Sequence, residues 1–263
     1  MTSITKRQQA LDLLNVRHFV RDFTPPPENV ILKIRDAHVG SLGNFCCFVG
    51  LPKAGKSTFI NALIASPYTA FKQLFNIKLE LPPERPFIAY FDTESAINDF
   101  YKNIDRIKYF TENKAVPFEL HAYQLRQDNF ETIKLMIDVY LENNKFTSVI
   151  IVDGLLDLLL NFNDEKESRL LIDYLKQITN KYNVLLIGVV HTGKKDNNTI
   201  GHFGSMIDRY AQSVIEIVKD KENNLFLMKS RLLRSSADFN DVAVMWNGRE
   251  YIEVAAPPPP KRK

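Results

Sequence analysis

The stretch Phe45-Cys46-Cys47-Phe48-Val49-Gly50-Leu51-Pro52-Lys53-Ala54-Gly55-Lys56-Ser57-Thr58 decides how the chain is read. Phe45 to Val49 is an apolar run with the length of a buried strand. It leads into the pattern G-x-x-x-x-G-K-[ST], matched by Gly50, Gly55, Lys56 and Ser57. Lys56 to Ile64 then reads as a helix, with Pro67 just beyond its expected end. Glycines let successive backbone N–H groups turn inward onto phosphate oxygens, and a helix starting there aims its positive end at the anion. The candidate site for the phosphates of ATP is therefore Gly50, Pro52, Lys53, Ala54, Gly55, Lys56, Ser57 and Thr58. Lys56 would meet the β- and γ-phosphates, and the Ser57 hydroxyl would meet Mg²⁺.

Outward from this loop, strand-like and helix-like segments alternate. Val30–Ile34 and Phe87–Phe91 read as strands, Ala96 to about Glu112 as a helix, and Phe118–Tyr123 as a further strand. Ile133, Met136, Ile137 and Tyr140 share one face of a helix over Phe130–Glu142. Ser148–Val152 is a fully apolar strand, a helix spans about Glu165 to Lys181, and Val184–Val190 is another strand. Beyond Gly193 the character changes to short strands: Val214–Val218, Leu225–Lys229, Val242–Trp246 and Tyr251–Val254. Asn247-Gly248 between the last two is a hairpin signal. The expected fold class is α/β, with a mostly parallel central sheet flanked by helices and a C-terminal antiparallel extension. The expected organisation is an N-terminal helical and Pro-rich arm (1–28), one ATPase domain (29–254) and a disordered Pro-rich basic tail (255–263). A short amphipathic helix with Leu11, Leu14, Phe19 and Val20 is expected in the arm, ended by Pro25-Pro26-Pro27.

A Mg²⁺-holding carboxylate is expected at the end of a neighbouring strand, and Ser148-Val149-Ile150-Ile151-Val152-Asp153 delivers one. Asp153 would act through water; a helix cap is its plainer role. Gly154 follows it, which disfavours classes with a glutamate at that position. Attack by water on a γ-phosphate still needs a positioning group. Glu94, in Phe91-Asp92-Thr93-Glu94-Ser95, stands just past another apolar strand. It is either that base or an acid opening the next helix.

With these residues in place, the chain resembles a RecA-like P-loop ATPase, in the branch containing the hexameric plasmid helicase RepA and the replicative helicase DnaB. The resemblance spans roughly Asn29 to Val254 and rests on four features in order. They are the P-loop, the strand end at Glu94, the strand ending at Asp153, and Leu185–Val190 followed by His191-Thr192-Gly193-Lys194. It implies that His191 is a sensor of the γ-phosphate, where a strand-end hydrogen bond is the alternative. It implies that the loop starting at Lys194 and Lys195 faces nucleic acid. That loop, with Gly193, Asn197, Asn198, Gly201, His202, Gly204 and Ser205, is expected to be mobile, and Phe203 is its one candidate for stacking on a base. It further implies that Lys229 and Arg231, a Lys-x-Arg pair at a strand end, reach the γ-phosphate of a neighbouring subunit, with solvated surface cations as the alternative.

Composition limits the partners. The net charge of +3 permits nucleic acid binding without demanding it. No apolar run approaches the ~20 residues needed to cross a bilayer, so no membrane partner and a cytoplasmic location are expected. Cys46 and Cys47, the two cysteines, should point to opposite faces of a strand and stay unpaired. Thr179-Asn180-Lys181-Tyr182-Asn183 lacks the Asp of a guanine-reading motif and precedes a strand. Three functions follow: a hexameric ATP-driven motor on single-stranded DNA, serving a plasmid, phage or mobile element; a regulatory ATPase switching a protein partner; or a small-molecule kinase.

Overall fold

Phe45–Gly50 forms strand β3, and every residue in it is buried. Apolar side chains on both faces suit a strand at the centre of a sheet. The structure, a computed structural model, describes residues 3–18, 24, 27–193 and 201–257. Strand β3 pairs in parallel with β8 (Leu185–His191) on one side and β9 (Ser213–Asp220) on the other. Beyond β8 the sheet stays parallel through β7 (Thr147–Asp153), β5 (Phe87–Asp92) and the edge strand β6 (Leu120–Gln124). Beyond β9 it runs antiparallel through β10 (Leu225–Leu233), β11 (Val242–Trp246) and β12 (Tyr251–Val254). The order β12-β11-β10-β9-β3-β8-β7-β5-β6 is the α/β class expected, with the antiparallel strands continuing the same sheet.

Two apolar layers cover this sheet. On one face lie α2 (Lys56–Ala65), α3 (Ile97–Phe110) and a small sheet of β2 (Ala37–Ser41), β1 (Val30–Ile34) and β4 (Ile77–Leu79). On the other lie α4 (Phe130–Asn143), α5 (Glu165–Tyr182) and α6 (Gly201–Tyr210). Side chains alternate along β3, so Cys46 joins the first layer and Cys47 the second, both as free thiols. Helix starts follow local chemistry: the side chains of Asn129 and Asp164 accept the N–H groups of Thr132 and Glu167, at 2.9 and 2.8 Å.

Three readings change. Residues 201–210, expected within a mobile loop, form α6, whose Phe203 and Ile207 are buried one turn apart in the second layer. Phe203 has no exposed surface, so it cannot stack on a base. The helix at the N-terminus, α1 (Ser3–Val16), does not bury an apolar face: Leu11, Leu13, Leu14 and Val16 are all exposed. Strands β2 and β4 were not expected: β2, Ala37-His38-Val39-Gly40-Ser41, has a single branched apolar side chain, and β4 is three residues long. Lys194, Lys195, Asn197, Asn198, Phe19, Val20, Pro25, Pro26 and the tail from Pro258 lie outside the described residues. Glu28, at the end of the expected arm, is tied to the core, accepting bonds from Ser41 Oγ (2.6 Å) and Gln212 Nε2 (2.5 Å).

Candidate functional site

Parallel strands end on the same side of a sheet, and four of them deliver the site. The P-loop leaves β3, Asp153 ends β7, Asp92 ends β5 with Glu94 two residues on, and His191 ends β8. Strand β8 lies between β3 and β7, so His191 stands between the loop and the carboxylates.

The loop is shaped by Gly55, the N-cap of α2, at φ +97°. Only glycine adopts this without strain. A Cβ there would also stand 2.4 Å from the Phe226 ring. The first turn of α2 has no side-chain cap and no acid. The positive helix end is thus left for an anion, which is the fit a polyphosphate needs.

Lys56 is nearly buried and its ammonium has three partners: the carbonyls of Gly50 (2.9 Å) and Leu51 (3.0 Å), and His191 Nδ1 (2.9 Å). An ammonium has three protons to donate and no lone pair. With Lys56 charged, His191 Nδ1 is therefore the acceptor, and Nε2–H donates to Glu94 Oε2 at 2.9 Å. Lys56, His191 and Glu94 form one continuous hydrogen-bonded chain. Burial pulls the Lys56 pKa down to about 8, against the opposing pull of Glu94 and Asp153.

Asp153 and Asp92 are register partners on β7 and β5, both buried. Between them lies Tyr90, whose hydroxyl reaches Asp153 Oδ2 (3.0 Å) and Asp92 Oδ2 (3.2 Å). Burial first, then the charges of Asp92 and Glu94, push Asp153 up to about 7. Burial and the two aspartates also hold the Tyr90 phenol well above its usual range, so it stays a donor. A buried carboxylate held back from ionising beside other acids, as Asp153 is, fits a divalent cation, which favours its charged form. Asp153 and the Ser57 hydroxyl are the residues that would hold Mg²⁺.

Sequence reasoning passed over four contributors. Asp92 Oδ1 accepts the N–H groups of Glu94 (3.1 Å) and Ser95 (2.8 Å), which fixes the loop carrying Glu94. Thr93 Oγ1 donates to Asp157 Oδ2 at 2.6 Å, with the Asp153 and Gly154 carbonyls at 2.9 and 3.1 Å. Gly154, at φ +104°, is required here, since a Cβ would lie 2.1 Å from Thr93 Oγ1. Asp92 could have been found, because it ends the same apolar strand that singled out Glu94. Tyr90, Thr93 and Asp157 carry no such signal.

Lys229 and Arg231 on β10 do not reach this cluster. Lys229 pairs with Asp241 at 3.2 Å and Arg231 with Asp208 of α6 at 2.7 Å.

A family model described as an AAA domain matches residues 6–197. The chain belongs to that family. It is a P-loop ATPase of the RecA-like superfamily. The AAA domain match takes in the P-loop, Glu94, Asp153 and His191, and ends before α6 and β9–β12. No curated protein matches the chain. Among the described residues, no helix is long and apolar enough to cross a membrane.

Proposed function

We propose that the protein is an oligomeric, Mg·ATP-driven motor on single-stranded DNA, of the branch that includes RepA and DnaB, serving replication or mobilisation of a plasmid, phage or mobile element. The observation behind this reading is the separation of Lys229 and Arg231 from the site of their own chain. Among the described residues, Lys56 is the one cation bonded into the Glu94–His191 chain. Charge building on a γ-phosphate calls for a further cation, and a neighbouring subunit's Lys-x-Arg pair is suited to supply it, an effect of about 10³–10⁵ in rate.

In this reading Glu94 orients the attacking water and accepts its proton, on a loop fixed by Asp92. Lys56 and the loop amides grip the phosphates. Ser57 and Asp153 would hold Mg²⁺, which would supply positive charge against the phosphates. When Lys56 turns to the phosphates, His191 Nδ1 loses its partner, and the ring becomes free to report the γ-phosphate to the segment after β8. That segment, with Lys194 and Lys195, is the proposed contact with DNA.

The test is the ATPase rate and particle mass with and without single-stranded DNA. Stimulation of the rate and a nucleotide-dependent hexamer are expected. An unstimulated rate together with no salt-dependent DNA binding removes the motor reading. The burial of Phe203 favours one second reading, a regulatory ATPase that switches a protein partner, because it takes away the candidate base-stacking side chain. That protein would hydrolyse ATP at a rate indifferent to DNA.

A further inference from the structure

A nucleotide gripped by the P-loop has a direction. Its γ-phosphate end would face the groups suited to act on it, Glu94, Asp153 and His191, which lie on the β8 side of β3. Its nucleoside end must then leave past Gly55 and the start of α2, on the side of β9 to β12. The strands on that side carry an aromatic series that begins at the loop itself. The Phe226 ring on β10 lies against Gly55. Tyr251 on β12 packs on Phe226 with centroids 6.2 Å apart, and Trp246 on β11 packs on Tyr251 at 4.9 Å. Alternation along β11 puts Val242, Val244 and Trp246 on one face, and the two valines belong to the apolar layer beneath α2. The series therefore runs along the face of the sheet that the loop and α2 occupy.

Trp246 ends this series 44% exposed, at the lip of the turn 247–250. What sets it apart from other exposed apolar side chains is that it ends an unbroken series of rings starting at the loop. Tyr251 beneath it is held from below by the Arg106 guanidinium, 5.9 Å from the ring centroid, and by Phe110 at 6.4 Å. A ring braced on one side and open on the other is a stacking surface. Cross-strand pairing with Tyr251 explains the contact within the hairpin, but not the open face.

We propose that Trp246, backed by Tyr251 and Phe226, is the platform on which the base of the bound nucleotide stacks. The proposal rests on the P-loop being the triphosphate site. Stacking is indifferent to which base is presented, since every base has a π-face. The platform therefore supplies affinity for a nucleoside rather than a choice of adenine over guanine.

Trp246 is the single tryptophan, so its fluorescence reports on the platform alone. Mg·ATP should quench it, and tripolyphosphate, which has no base, should bind by calorimetry without quenching. In Trp246→Ala, ATP should bind about tenfold more weakly, with tripolyphosphate unaffected, and Trp246→Phe should recover most of the loss. The proposal is overturned if ATP and tripolyphosphate both bind wild type with no quenching by ATP. It is equally overturned if Trp246→Ala weakens both ligands alike, the mark of a merely structural hairpin role. If neither ligand binds wild type, the P-loop reading fails and this one falls with it.

Discussion

On the β8 side of β3 stand Asp92 and Asp153, buried and joined through Tyr90, with His191 and Glu94 bonded to each other and partly open to solvent; on the β9 side Phe226 lies against the P-loop and starts a series through Tyr251 to a half-exposed Trp246. The first flank lies inside the AAA domain match and the second outside it. Chemistry at a phosphate needs a few polar groups at fixed angles, so strand ends and buried hydrogen bonds hold them. Holding a nucleoside needs only area, which exposed rings on a hairpin can offer. Substitutions on the two flanks should accordingly separate turnover from affinity.

The widest separation is expected on the polar flank. Lys56→Ala should abolish both ATP and tripolyphosphate binding, since it removes the ammonium that the loop carries. Glu94→Gln should lower kcat by ~10²–10⁴ while ATP still binds and still quenches Trp246 fluorescence. Loss of that quenching in Glu94→Gln would show that the flanks are not separable. Arg231→Ala, if the neighbouring-subunit reading holds, should reduce the rate of the assembled protein by ~10³ or more. Its nucleotide affinity should be little changed, and mixing with Lys56→Ala subunits, which carry an intact Arg231, should restore part of the rate.

A smaller effect comes from protons. Asp153 is pushed up from 3.8 to about 7, so a proton competes with Mg²⁺ for it. Apparent Mg²⁺ affinity in the ATPase assay should fall by up to about tenfold for each pH unit below 7, and Asp153→Asn should flatten that dependence. Stability of the metal-free protein should move the other way. Between pH 3.8 and about 7 the folded chain keeps a proton that the unfolded chain has released. The contribution is fully present below pH 3.8 and is lost as pH rises through about 7. Thermal melts of wild type against Asp153→Asn over that window check the sign.

The smallest expected change is also the most local. Gly154→Ala forces an alanine into φ +104° and against Thr93 Oγ1, at a cost of ~1–3 kcal/mol. It should displace the loop bearing Glu94, so kcat should fall while tripolyphosphate affinity holds, which a calorimetric titration would show.

The polar flank was largely legible because its parts sit at the ends of apolar strands, a position that sequence marks by an abrupt change from apolar to acidic or basic residues. Asp153 and Glu94 were each marked that way and His191 by the resemblance, and the structure brings Lys56, His191 and Glu94 into one chain. Tyr90 was read only as part of a core strand, because its phenol matters through a neighbour 63 residues away. The segment 201–210 was misread because Gly201, Gly204 and Ser205 suggest a loop, whereas Phe203 and Ile207 find an apolar layer to fill and fold it as a helix.

Alone, the sequence determined the phosphate grip and the alternating strands and helices, since a glycine-bounded loop between an apolar strand and a helix is a local arrangement. Tertiary structure decided the rest: that β8 comes between β3 and β7 and so sets His191 against Lys56, that Arg231 pairs with Asp208, and that Phe226, Tyr251 and Trp246 line up beside Gly55. Each of these depends on which strands lie side by side, and strand order is set by packing between segments far apart in the chain.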